Sequence, residues 1–103
     1  MPRDLRQFAK GQECYFRLPE FCRFDPLYTV LCHFRIGGIA GTGDKAPDLC
    51  GAPGCDRCHD VIDGRIKQSI YTPIQLRAES HRAQNQWLEF LWKNEIVIVV
   101  LAA

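Results

Sequence analysis

The sequence predicts a small α+β fold stapled by a metal ion. Three observations carry the prediction. Six cysteines stand in 103 residues, four of them in two groups that suit a single ion. A β-branched and aromatic segment at residues 27–35 precedes a second extended segment leading to Cys55. A long amphipathic segment follows Pro73.

Hydrophobic residues make up 47% of the chain and charged residues 24%, the balance of a globular chain and not of a disordered, collagen-like or coiled-coil one. The length suits one domain over residues 1–103. No apolar run approaches the ~20 residues of a membrane span. The first residues, MPRDLR, lack the apolar region of a signal peptide, so the expected location is cytoplasmic. The net charge of +1 excludes a strongly basic field over the whole surface. Nucleic acid would have to be held by a local patch or through a metal.

Taken in order, residues 4–10 read as a short helix, with Leu5, Phe8 and Ala9 on one face and Gly11 ending it. Residues 14–26 hold two Cys and two Pro and read as a compact loop. Residues 27–35, LYTVLCHFR, read as a strand. Gly37, Gly38, Gly41 and Gly43 make the next stretch an irregular loop, and residues 48–54 a second short strand or an extended approach. Residues 55–58 form a tight turn, and a helix runs from about 56 to 63 or on through 67. The last helix covers about 74–94, its apolar face carrying Leu76, Ala83, Trp87, Leu88 and Leu91. The tail IVIVVL at 96–101 is a strand or an extended arm, and an apolar arm of this kind is a route to oligomers.

Cys55-x2-Cys58 is a metal-ligand spacing, because the two-residue turn lets both sulfurs face one ion. With Cys14 and Cys22 it makes four thiolates for a closed structural Zn²⁺ site. Cysteine usage below the ~8–10% of disulfide scaffolds, in a reducing compartment, favours metal over disulfides. The alternative is that some are buried thiols behaving as small apolar residues, which is the reading for Cys32. Cys50 competes as a fifth candidate ligand.

His59 and Asp63 lie one helical turn apart, where an imidazole and a carboxylate can share a divalent cation. Their alternative role is as solvated polar residues of the helix. His33 sits in an apolar strand, where a structural histidine competes with a functional one. His81 reads as an exposed mid-helix residue. Arg35, two residues after His33, shares its strand face, and Lys45 stands in the glycine loop, so both can contact phosphate. Arg57, Arg65 and Lys67 extend a basic surface or are ordinary solvated charge.

The order of these parts resembles the HNH endonucleases, whose ββα-metal (His-Me finger) module runs strand, loop, strand, helix. The match covers roughly residues 14–67, with the helix and arm at 74–103 outside it. A closer resemblance, over nearly the whole chain, is to small phage and prophage HNH-like nucleases of the YbcO type. It rests on GQEC at 11–14, HFR at 33–35, GTGDKAPDL at 41–49 and CDRCHDVID at 55–63.

The resemblance implies roles residue by residue. His33 matches the general base that activates water, a task suited to an imidazole at neutral pH. His59 matches the metal ligand after the second zinc cysteine. Asp63 falls where some members place another ligand. Asp48 lies near the residue that orients the loop and the base. The implied activity is metal-dependent hydrolysis of DNA, leaving 5′-phosphate and 3′-hydroxyl ends, in phage or prophage recombination or DNA processing on duplex or branched substrates. The implied catalytic cation is Mg²⁺, Mn²⁺, Ni²⁺ or Zn²⁺. One departure stands out: Cys32 occupies the position before the base, where many members carry Asp or His, and a thiolate suits Mg²⁺ poorly. The competing readings are a catalytically silent zinc-stapled DNA-binding module and a protein-interaction adaptor.

Overall fold

The computed structural model describes residues 4–34 and 49–96. The elements in order are α1 (Leu5–Ala9), a 3₁₀ turn (Pro26–Tyr28), β1 (Thr29–His33), β2 (Gly51–Cys55), α2 (Asp56–Ile62) and α3 (Pro73–Lys93). The expected glycine-rich loop, with Arg35, Lys45 and Asp48, lies outside the described residues.

Helix α1 starts where Asp4 accepts a hydrogen bond from the Arg6 amide at 3.0 Å. It buries Leu5 and Ala9 against β1, whereas Phe8, expected on the same face, is 37% exposed. The loop after it is compact, as expected. Arg17, Glu20 and Phe24 all take positive φ there, at 46°, 76° and 52°. Each such residue costs roughly 1–2 kcal/mol, so this loop must be fixed by what surrounds it.

Strand β1 is shorter than the expected 27–35. Asp25 caps the Leu27 amide at 3.0 Å, and Pro26 then starts a 3₁₀ turn that delays the strand to Thr29. β1 and β2 pair antiparallel, with Thr29 opposite Cys55 and His33 opposite Gly51. The second strand starts three residues later than expected and runs through Cys55. Pro53 has no amide to donate, which a two-stranded sheet tolerates. Its carbonyl instead accepts from the Tyr15 amide at 2.9 Å, tying the N-terminal loop to the sheet. Gly54 is required by space, since a Cβ there would lie 2.5 Å from the Phe16 ring and 3.0 Å from the Cys32 sulfur.

Helix α2 begins directly from β2, so Cys55 is both the last strand residue and the helix cap in place of a separate tight turn. It ends at Ile62, the shorter of the two expected extents. Gly64 takes φ 78° and closes a Schellman motif, with Arg65 N–H to Asp60 C=O at 2.8 Å and Gly64 N–H to Val61 C=O at 3.1 Å.

Helix α3 opens with a capping box between Thr72 and Gln75, at 3.2 Å and 2.8 Å, and Pro73 takes the first turn, where no amide is needed. Its buried stripe is Ser80, Ala83, Trp87 and Leu91, while Leu88 is 37% exposed. Trp87 stacks on Phe90 at 5.4 Å and meets Tyr15 edge-on at 5.9 Å. The helix packs across β2, and Gln84 reaches the Leu49 carbonyl at 2.9 Å. Among the described residues no helix is long and apolar enough to cross a membrane. Of the expected arm at 96–101, only Ile96 is described.

Candidate metal centre and catalytic cleft

Strand β2 hands Cys55 to the first turn of α2, where Cys58 follows after two residues. The N-terminal loop brings Cys14 and Cys22 to the same point. The four sulfurs all lie within 4.8 Å of one another. All six cysteines of the chain are free thiols. A tetrahedral ion with Zn–S bonds of about 2.3 Å holds its sulfurs about 3.8 Å apart. The Cys22 and Cys55 sulfurs are already 3.9 Å apart, so the set fits one ion with small inward shifts.

Backbone amides prepare these sulfurs for negative charge. Cys55 N–H points at the Cys14 sulfur at 3.3 Å, Phe24 N–H at Cys22 at 3.3 Å, and Cys58 N–H at Cys55 at 3.4 Å. The hydrogen bond from the Cys58 thiol holds Cys14 well below the usual thiol range, and giving up that proton becomes harder for Cys58. The metal-free pocket therefore shares protons within a close thiol cluster. An ion bound there would replace those protons and clamp the loop to α2, a contribution on the order of 10 kcal/mol.

The other side of α2 faces a cleft of about 1510 Å³. His33 from the end of β1 lines it, with His59 from α2 and Asp63 from the cap that follows. The His59 Nε2 and Asp63 Oδ2 atoms are 3.2 Å apart. That spacing and the nitrogen–oxygen donor pair fit two ligands of one divalent cation. Arg65 also reaches Asp63 Oδ2, at 3.6 Å. The structure thus brings three predicted site residues into one cleft, with the thiol cluster anchoring the helix that carries two of them.

Cys32 does not enter the cleft. Strand alternation turns it away from His33. It is fully buried, and its thiol lies 3.4 Å from the Gly54 carbonyl. Burial pushes its thiol far above the usual range and keeps it neutral. The core reading of Cys32 holds, and this thiol is not placed to bind a cleft cation. Cys50 is half-buried and stands apart from the four-sulfur cluster.

The expected basic surface divides. Arg65 and Lys67 line the cleft, whereas Arg57 donates to the Phe21 carbonyl at 3.0 Å and fastens the N-terminal loop. The lining also includes residues that the sequence did not point to, among them Arg6, Tyr71, Arg77 and His81. His81 is exposed, as expected, yet it faces the cleft. Its spacing of four from Arg77 was the available signal.

Residues 3–90 match the protein family described as "Putative nuclease YbcO". The chain belongs to the YbcO family. Two relatives carry that description, one from Escherichia coli strain K12 and one from Enterobacteria phage 82. Each is 48% identical over 62 residues, which is 60% of this chain and 65% of the relative. The matched part thus falls just short of two thirds of those relatives' length. A solved structure described as "Structure of a putative bacteriophage protein from Escherichia coli str. K-12 substr. MG1655" is 27% identical, with a TM-score of 0.72. That match covers 89% of this chain and all of the solved one.

Proposed function

We propose that this chain is a metal-dependent endonuclease of the HNH type that hydrolyses DNA phosphodiester bonds in phage or prophage DNA processing. The observation that carries the reading is the convergence of His33, His59 and Asp63 on one cleft beside a four-thiol cluster. The family name and the phage relative support it.

Phosphodiester hydrolysis needs an activated water, a clamp on the phosphate and help for the leaving oxygen. His33 takes a proton from the attacking water as its oxygen bonds to phosphorus. The bond from phosphorus to the 3′ oxygen breaks, and that oxygen leaves as the 3′-hydroxyl after taking up a proton from solvent. The 5′ end keeps the phosphate. His59 and Asp63 would hold a divalent cation, which would supply electrostatic stabilisation to the phosphate and the departing oxygen. Arg65, 3.6 Å from Asp63, steadies that carboxylate. The four cysteines would hold a structural Zn²⁺, which would fix the start of α2 and so the direction of His59. Asp48 orients the base in this reading, and Arg35 and Lys45 contact the phosphate backbone.

Nicking of supercoiled plasmid and of branched DNA tests the reading, with Mg²⁺, Mn²⁺, Ni²⁺ or Zn²⁺ added and EDTA as control. Nicking with at least one ion and none with EDTA is expected. A folded, zinc-loaded protein that cuts neither substrate with any of the four ions overturns it, and leaves a silent binding module.

A further inference from the structure

The cleft has a second wall that the catalytic reading does not use. It is built from α3 and the segment before it: Lys67, Pro73, Arg77, Ser80 and His81. Arg77 and His81 are four residues apart and therefore share one helix face. Ser80, next to them, is buried and turned inward, its hydroxyl bonded to the Leu76 carbonyl at 2.9 Å. Gln68 and Tyr71 also line it, but Gln68 bonds the Tyr71 backbone and the Tyr71 hydroxyl donates to the Pro19 carbonyl at 3.0 Å, which leaves two cations and an imidazole.

Charge pairing makes the wall distinctive. Away from the cleft, Arg17 pairs with Glu13, Arg23 with Asp56, Arg82 with Glu79 and Lys93 with Glu89. Arg57 is bound to a backbone carbonyl. Within the cleft, Arg65 pairs with Asp60 and Asp63. Among the described residues no carboxylate pairs with Lys67 or Arg77. Among the described residues, Lys67 and Arg77 are thus the cleft-lining cations without a carboxylate partner that stand in the same cleft as His33 and His59. Lys10, on the far end of α1, is the other unpaired cation among the described residues.

We propose that Lys67, Arg77 and His81 form a seat for backbone phosphates of the nucleic-acid strand that flank the scissile one. Unpaired cations facing a cleft attract a polyanion without regard to base sequence. Arg77 offers two parallel donors to a phosphate, Lys67 a point charge, and His81 one N–H. The wall holds the strand so that the phosphate between two seated neighbours lies against His33 and the His59–Asp63 pair. This seat deepens the nuclease reading and rests on it for its placement. The residues are positioning residues, not catalytic ones.

Binding separates the two claims. Fluorescence anisotropy of a short fluorescein-labelled DNA duplex is measured on the His33→Ala protein, in which cutting is silenced. Adding Arg77→Ala, or Lys67→Ala, should weaken binding roughly 3- to 10-fold and lower the slope of log affinity against log salt by about one. Arg77→Lys should recover part of the loss. Lys10→Ala, an equal loss of charge elsewhere, should leave binding unchanged. In the otherwise wild-type enzyme, Arg77→Ala should raise KM and leave kcat within about twofold. All three side chains are exposed, so circular dichroism should match the parent. Unchanged affinity in both the Arg77 and Lys67 variants, or equal losses for Lys10→Ala, overturns the seat even if cleavage persists. Weakened binding in a protein that never cuts upholds the seat and rejects the nuclease.

Discussion

At the scale of single residues, the contrast between Cys32 and His33 decides most. They are chain neighbours on opposite faces of β1, one sealed in the core and one lining the cleft. The sequence raised Cys32 as a departure from the pattern of ligands before the base. Alternation and burial remove it from that position's chemistry. Alkylation by iodoacetamide should show this: in the metal-loaded protein, half-buried Cys50 reacts first and Cys32 stays unmodified until unfolding. Rapid labelling of Cys32 would contradict its buried, neutral state. Asp63→Asn should weaken divalent-cation binding at the cleft, read by isothermal titration, at least tenfold while leaving the structural metal bound. The pairing of His59 with Asp63 was legible because it rests on one turn of a helix, whereas His33 was singled out by the family resemblance and not by its strand. The role of His81 was not legible. Its helix was foreseen, but its place on the cleft depends on how α3 crosses β2, which only tertiary packing sets. Phe8 fell off its expected face for the same reason, since β1 covers only Leu5 and Ala9.

At the scale of elements, the helix ends explain what was legible. Gly64 decides between the two expected ends of α2, because its φ of 78° closes the Schellman motif that stops the helix. Helix α3 ends in the same Schellman geometry, with Ile96 N–H to Leu91 C=O at 2.9 Å and Glu95 N–H to Trp92 C=O at 3.1 Å. There the left-handed residue is Glu95, at φ 57°. A side chain in that conformation costs roughly 1 kcal/mol that glycine avoids. Glu95→Gly should therefore raise stability by about 1 kcal/mol in urea unfolding, and Gly64→Ala should lower it by a similar amount. Equal stability in both variants would show that these caps do not strain the chain. The late start of β1 was written in Asp25-Pro26, a cap and a helix-starting residue, but the β-branched residues beyond masked it.

At the scale of the molecule, the thiol cluster joins parts that the chain separates. Cys14 and Cys55 are 41 residues apart and touch through an N–H···S bond. The loop between α1 and β1 holds three strained residues, and α2 carries Cys58 of the cluster next to His59 of the cleft. Removing the ion should loosen both. Cys58→Ser, or a strong chelator, should lower the melting temperature by well over ten degrees, as loss of several kcal/mol does in a chain of this length. The sign with pH follows from proton uptake. Metal-bound sulfurs carry no protons, and unfolded thiols do at neutral pH. The unfolded state therefore binds more protons, and stability falls as the pH is lowered. The melting temperature of the loaded protein should decline steadily from pH 8 towards acid, and a flat profile would argue against thiolate ligation.

The clamp and the cleft meet in one claim, that His33 is the base of a nuclease built on this frame. Single-turnover cleavage of labelled duplex by wild type and His33→Ala, with and without added imidazole, tests it most directly. The account predicts cleavage by wild type, a loss of roughly 100-fold or more in the variant, and partial recovery when free imidazole fills the vacated space. A His33→Ala protein that cuts at the wild-type rate would contradict it.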